Sequence, residues 1–284
     1  MLSMSVPSPE IVSLEVPGYQ DVPIAVRIRP GDAAVPVLLV HGFGSNGRAN
    51  WSATGWLDNL ERAGLTSVTV DLRGHGMSGK PHEAEAYRLP ILVADLRCAI
   101  GALAEVLGPV PRIDLVGYSM GGRMVAELIA TATGSGLGAD LRAWGPQLPS
   151  VRRAVIGGYD GRPLFEGLVP AEFAAALAGA PGPDTPSRRI AAIATATRGN
   201  DLAAMSALVI GLGQASTALP PWAVAAPTLV VAGDRDAITD GTRTWAAGLP
   251  DGRHLELHGR NHISAITSSV FRSAATGFLT AADV

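Results

Sequence analysis

One run, "VPVLLVHGFGSN", limits the folds open to this chain more than any other. Four apolar residues in succession, Val37 to Val40, end in a turn rich in glycine. A strand wetted on one face alternates apolar and polar residues, whereas a continuous apolar run needs burial on both faces, as in a parallel sheet. Parallel neighbours must be joined by crossovers, so helices are expected between successive strands.

The remaining chain follows that grammar. A helical stretch near residues 56–63 precedes the strand "TSVTVDL", and a helix about residues 89–107 precedes "RIDLVG". Further strands are read at "RRAVIGG", "PTLVVAG" and "HLELHG", ahead of an alanine-rich C-terminal helix. Two short strands at the start, "IVSLEVPG" and "VPIAVRIRP", with a turn at Gly18, Tyr19, Gln20 and Asp21, predict an antiparallel hairpin. The expected class is therefore α/β, a doubly wound, mostly parallel sheet built from right-handed crossovers.

Two segments interrupt the alternation. Residues 131–150, "TATGSGLGADLRAWGPQLPS", exceed a usual helix-to-strand connection and are expected to form a surface excursion. Residues 160–221 hold helical patches, "PAEFAAALAG" and "DLAAMSALVIGLG", around the proline-rich break "APGPDTPS". The expected organisation is a core of residues 1–159 and 222–284 with a helical cap inserted at 160–221.

Composition narrows the function classes. A hydrophobic share of 47% over 284 residues suffices for a sizeable core, and a net charge of −3 gives no electrostatic case for nucleic acid or an anionic membrane. Cys98 is the lone cysteine, so no internal disulfide or cysteine metal site can form, and a buried structural thiol is expected. The start "MLSMSVPSPE" lacks the pattern of a signal peptide, and no run of about 18 apolar residues follows. A cytoplasmic protein acting on a small molecule, without metal or cofactor, is the expectation; oligomeric state is not legible.

Chemistry concentrates around "LVGYSMGGRM". Gly117, Ser119 and Gly121 form a G-x-S-x-G pattern, weak alone in a chain with 34 glycines. Its setting strengthens it, because an apolar strand precedes it and the helix-compatible "MVAELIATA" follows, the strand, turn and helix of a nucleophile elbow. A serine there needs a histidine base oriented by a carboxylate. Of six histidines, His262 in "LHGRNHIS" lies just beyond the last strand, where a loop can bring it over the sheet edge. His254 and His258 belong to the strand pattern, His41 and His75 to glycine-rich turns, and His82 has no strong claim. Asp234 and Asp236 in "LVVAGDRDAIT" both reach the right end of the sheet, Asp160 is a third candidate, and spacing does not choose among them. Met120 and Phe43, the latter between Gly42 and Gly44, are the candidate N–H donors to a developing oxyanion.

Taken together, "HGFGSN", "DLRGHGMSGKP", "GYSMGG", "GDRD" and "GRNH" resemble the α/β-hydrolase fold superfamily, in its serine-nucleophile, esterase-like branch. The resemblance implies Ser119 as nucleophile, His262 as base, and Asp236 as triad acid at the end of a G-x-x-D turn. It implies oxyanion donors at Phe43 and Met120, and a structural role for Asp71, Arg73 and His75. Serine at the elbow argues against the epoxide hydrolase and haloalkane dehalogenase branches, which place aspartate there. The expected activity is hydrolysis of a carboxylic ester or related acyl compound, such as a lactone or thioester, through an acyl-enzyme.

Two alternatives accompany that reading. "GYSMGGR" is similar to the elbow of the menaquinone-pathway synthase, a lyase whose arginine at this position binds a carboxylate. Arg123, one helical turn after Ser119, could share the face toward the pocket mouth and is accordingly a candidate substrate contact, with a surface or salt-bridged arginine as the equal alternative; Gly42 is a further candidate substrate contact. The second alternative is a non-catalytic ligand receptor. The apolar residues Phe165, Leu168, Phe173, Met205 and Leu208 either line an acyl pocket or form the cap's own core.

Overall fold

The structure, a computed structural model, describes residues 10–132, 134, 146–215 and 217–283. Its eight strands form one sheet, β1 (Val12–Pro17), β2 (Pro23–Arg29), β3 (Val37–Val40), β4 (Ser67–Val70), β5 (Arg112–Tyr118), β6 (Ser150–Gly157), β7 (Thr228–Gly233) and β8 (Gly252–Leu257). They lie in the order β1-β2-β4-β3-β5-β6-β7-β8. The hairpin of β1 and β2 joins antiparallel to β4, and every pairing from β4 to β8 is parallel.

Helices cover both faces, which explains the unbroken apolar run of β3. Leu38 and Val40 pack with the side of α2 (Leu89–Ala102) and α4 (Met120–Ala132), while Val37 and Leu39 pack with that of α1 (Trp56–Arg62) and α10 (Ser269–Thr280). With period 2, all four side chains are buried. The helix expected over 89–107 is divided at Leu103, whose N–H bonds back to Ile100 in a tightened turn before a short α3 (Ala104–Leu107).

Between β6 and β7 stand α5 (Pro170–Leu177), α6 (Pro186–Ala196) and α7 (Leu202–Ala215). α6 begins inside the stretch read as a proline-rich break. Thr185 caps it by accepting the Arg188 N–H, and Pro186 fills the first helical position, where a missing N–H costs nothing. Two short helices, α8 (Thr242–Ala247) and α9 (His262–Ala265), complete the parallel half. The excursion expected at 131–150 falls for the most part outside the described residues. Among the described residues no helix is long and apolar enough to cross a membrane.

Candidate active site

Ser119 occupies the single residue between β5 and α4, at φ 55°. That left-handed conformation strains a residue with a Cβ, and the surroundings enforce it. A Cβ on Gly117 would fall 2.3 Å from the Gly121 carbonyl, and one on Gly121 2.0 Å from that of Val40, so only glycine fits on either side. The Ser119 N–H donates to the Gly157 carbonyl at 2.7 Å, tying the turn to the end of β6.

His262 opens α9, where Asn261 caps the helix by accepting the N–H groups of Ile263 and Ser264. Its Nε2 lies 2.9 Å from Ser119 Oγ, and its Nδ1 lies 2.8 Å from Asp236 Oδ2. A carboxylate only accepts, so Nδ1 carries the hydrogen and Nε2 is left to accept from the serine hydroxyl. Tyr118, unremarked in the sequence, donates its hydroxyl to the His262 carbonyl at 2.5 Å and braces α9 from below.

The three acids separate cleanly. Asp236 follows β7 in a turn closed by its N–H to the Gly233 carbonyl, and its Oδ1 accepts the N–H groups of Ile238 and Thr239 at 2.9 and 3.2 Å. Burial pushes its carboxyl up, but the His262 imidazole and the Thr239 and Ile238 donors outweigh this and hold it below the usual carboxylate value. Asp234 pairs instead with exposed His258 and accepts the Gly259 N–H. Asp160 is committed to Arg162 and to the Gly241 N–H.

The loop after β3 passes close to the serine, since a Cβ on Gly42 would stand 3.3 Å from Ser119 Cβ. The N–H groups of Phe43 and Met120 have no acceptor among the described residues. His41 and His75 lock this loop to the turn after β4. His41 donates from Nδ1 to the Gly42 carbonyl at 2.8 Å and accepts the Leu72 N–H at Nε2. His75 donates from Nδ1 to the Arg73 carbonyl and accepts the Gly44 N–H at 3.1 Å. Each ring therefore uses one nitrogen as donor and the other as acceptor, the pattern of a neutral imidazole, and burial pushes both below the usual histidine value. Arg73 pairs with buried Asp95, and Asp71 accepts the Gly47 and Met77 N–H groups, so neither group faces the serine.

Of the two readings of Arg123, the structure takes the salt-bridged one, and the side chain does not line the cleft. Its side chain is wholly buried, paired with Glu127 at 2.5 Å, and donates to the Tyr159 hydroxyl at 3.0 Å and the Thr217 carbonyl at 2.6 Å. The helix rotation that places Ser119 at the cleft floor turns the next position on that face beneath Tyr159, where Glu127 claims the charge.

Over Ser119 opens a cleft of about 290 Å³. Its walls are Gly158, Tyr159, Asp160 and Arg162 after β6, Pro163 to Glu166 and Leu168 beyond them, Pro186, Arg189 and Ile190 of α6, and Ala237 to Thr239. Phe165 and Leu168 thus reach the cleft, whereas Phe173, Met205 and Leu208 are buried in the core. Phe165 itself sits at φ 59° with its ring edge-on to Phe43, centroids 5.2 Å apart. Nothing in the local sequence marks that strain.

The sheet in this strand order thus carries a strained serine, a late histidine and an acid after the seventh strand. Residues 35–135 match a family described as alpha/beta hydrolase fold. An esterase from Exiguobacterium antarcticum superposes with TM-score 0.69 at 16% identity, over 95% of this chain and all of that one, 100%. This chain has the α/β-hydrolase fold. A bromoperoxidase from Bacillus anthracis shares the α/β-hydrolase architecture at TM-score 0.68 and 21% identity, over 95% of this chain and 100% of that one. In sequence, epoxide hydrolase 3 of Xenopus tropicalis is 35% identical over 100 residues, 34% of this chain and 24% of that protein. A serine hydrolase-like protein of Danio rerio is 32% identical over 95 residues, 34% of this chain and 26% of its own. The chain spans about a quarter of the length of these two relatives.

Proposed function

We propose that the chain is a serine hydrolase that cleaves carboxylic esters or related acyl compounds. The observation that carries this reading is the relay from Asp236 through His262 to Ser119, at 2.8 and 2.9 Å, on a serine held at φ 55°. Ser119 Oγ attacks the substrate carbonyl while His262 Nε2 takes its proton, and Asp236 stabilises the imidazolium that forms. The N–H groups of Phe43 and Met120, the latter at the positive end of α4, receive the negative charge that develops on the carbonyl oxygen. The tetrahedral intermediate expels the alcohol, which collects the proton from His262. Water, deprotonated by His262, then attacks the acyl carbon and releases the acid and Ser119.

Residues 160–221 act as a cap, and the cleft beneath them is small. At about 290 Å³ it stands at the lower end of the range for small-molecule sites, which favours short to medium acyl groups against Leu164, Phe165, Leu168 and Ile190. Ester hydrolysis accords with the esterase of the same fold. An epoxide-opening reaction through an elbow carboxylate has no counterpart here, since position 119 is serine.

The test is chemical labelling. Folded protein incubated with a fluorophosphonate is expected to carry the adduct on the peptide containing Ser119, read by mass spectrometry, and to hydrolyse p-nitrophenyl acetate or butyrate. Absence of the adduct in folded protein would overturn the nucleophile assignment.

A further inference from the structure

We propose that Asn200, at the junction of α6 and α7, is a positioning residue for the oxyanion-binding loop. The proposal rests on the reading of the Phe43 N–H as an oxyanion donor. Asn200 Nδ2 lies 2.8 Å from the Gly44 carbonyl and 2.8 Å from the Ala194 carbonyl. An amide nitrogen has two hydrogens, and both find an acceptor; the reversed amide would set its oxygen against two carbonyls, so the orientation is forced.

The consequence falls on three successive peptide planes. The plane between Gly42 and Phe43 is pinned where its carbonyl accepts from His41 Nδ1 at 2.8 Å, which sends the Phe43 N–H the opposite way. The next plane is pinned by the Gly44 N–H on His75 Nε2 at 3.1 Å. The third is pinned by Asn200 on the Gly44 carbonyl, and its Ser45 N–H closes the turn back to the Gly42 carbonyl at 3.3 Å. Two anchors come from the core beneath the loop, and Asn200 brings the third from the helical segment above.

That segment is seated directly on the loop. Gly44 has φ +66°, and a Cβ there would lie 2.7 Å from the Ile193 carbonyl oxygen, so the α6 backbone packs where a side chain would stand. The junction is itself braced, since Asp201 accepts the N–H groups of Ala203 and Ala204, both at 3.0 Å, and pairs with His82. An N–H aimed at a developing charge loses effect steeply with displacement, so releasing one of three anchors weakens transition-state stabilisation while leaving substrate binding nearly intact.

The experiment compares the full chain with its Asn200→Ala and Asn200→Asp variants on p-nitrophenyl acetate, with amide hydrogen exchange measured in parallel. Asp keeps the volume of Asn but removes both donors. Both variants are expected to lose about 10- to 30-fold in kcat with KM within about threefold, less than the 100- to 1,000-fold of deleting a donor outright. Exchange at residues 42–45 is expected to quicken at least about tenfold while that of β3 stays unchanged. Wild-type kcat in Asn200→Asp would show that only packing matters and would overturn the proposal, as would unchanged exchange at the loop. If the wild-type chain turns over no ester, the hydrolase reading fails, and the exchange measurement still decides whether Asn200 holds the loop.

Discussion

In the proposed mechanism, proton transfer from Ser119 depends on which nitrogen of His262 carries the hydrogen, and the Asp236 carboxylate sets that. Replacing Asp236 by Asn would let an amide N–H face Nδ1 and favour the wrong tautomer, so Asp236→Asn is expected to cost about 10⁴-fold in kcat for ester hydrolysis. Asp234→Asn, at the surface beside His258, is expected to leave kcat essentially unchanged, and a comparable loss in that variant would move the assignment. Ser119 was legible as a candidate because it follows the apolar strand β5 in a G-x-S-x-G turn, and His262 because it comes just after the last strand. Spacing did not choose the acid, since Asp234, Asp236 and Asp160 all stand near the ends of adjacent strands, and only the resemblance, through its G-x-x-D turn, pointed to Asp236. Turn closure at Gly233 points Asp236 at the ring, while Arg162 and His258 draw the other two away.

The helix α4 does two things with one end. It begins directly after the serine, and its first turn buries Arg123 against Glu127, a pair that ties the elbow to Tyr159 and to Thr217 on the return to β7. Burial pushes the Glu127 carboxyl up and Arg123 draws it back, so Glu127 would take up a proton once its partner is gone. Arg123→Met is therefore expected to cost about 3 kcal/mol in urea unfolding, near the low end for breaking a buried pair, with the Arg123→Met, Glu127→Leu double variant recovering part of it. The i, i+4 spacing was readable from the sequence; that both groups are buried depends on what packs across them. Phe165 is a second strained residue, and its ring narrows the cleft against Phe43. Phe165→Ala is expected to raise the kcat/KM ratio of p-nitrophenyl octanoate over acetate by at least about tenfold, roughly the worth of one or two methylenes in an apolar pocket.

For the molecule as a whole, two neutral histidines in the core set a limit in acid. His41 and His75 stack edge-on with centroids 4.9 Å apart, and both are held below the usual value, first by burial and for His75 also by its neighbour. The unfolded chain binds a proton on each as pH falls through about 6.5, and the folded chain does not, so acid favours unfolding. Stability is expected to be flat above pH 7 and to decline below about 6.5 by up to about 1.4 kcal/mol per pH unit for each ring. Urea melts at pH 7.5 and 5.5 check this, and equal midpoints would contradict it. In the folded chain His75 takes up a proton, and so loses its contact with the Gly44 N–H, only well below pH 6.5, so loss of stability should begin before any loss of activity through this contact.

The amino-acid sequence alone determined the sheet and the elbow. Apolar periodicity and glycine placement are local signals, and "VLLV" or "GYSMGG" can satisfy its burial or steric demand in very few ways. The start of α6 was also locally written, in Thr185 followed by Pro186, though masked by the prolines around it. Tertiary structure decided which acid meets His262, that Arg123 is spent on Glu127, that Phe165 reaches the cleft while Phe173 does not, and that Asn200 meets Gly44 across 156 positions. Those outcomes depend on which side chains compete for one partner in space, and hydrogen bonds between distant segments leave no periodic trace along the chain.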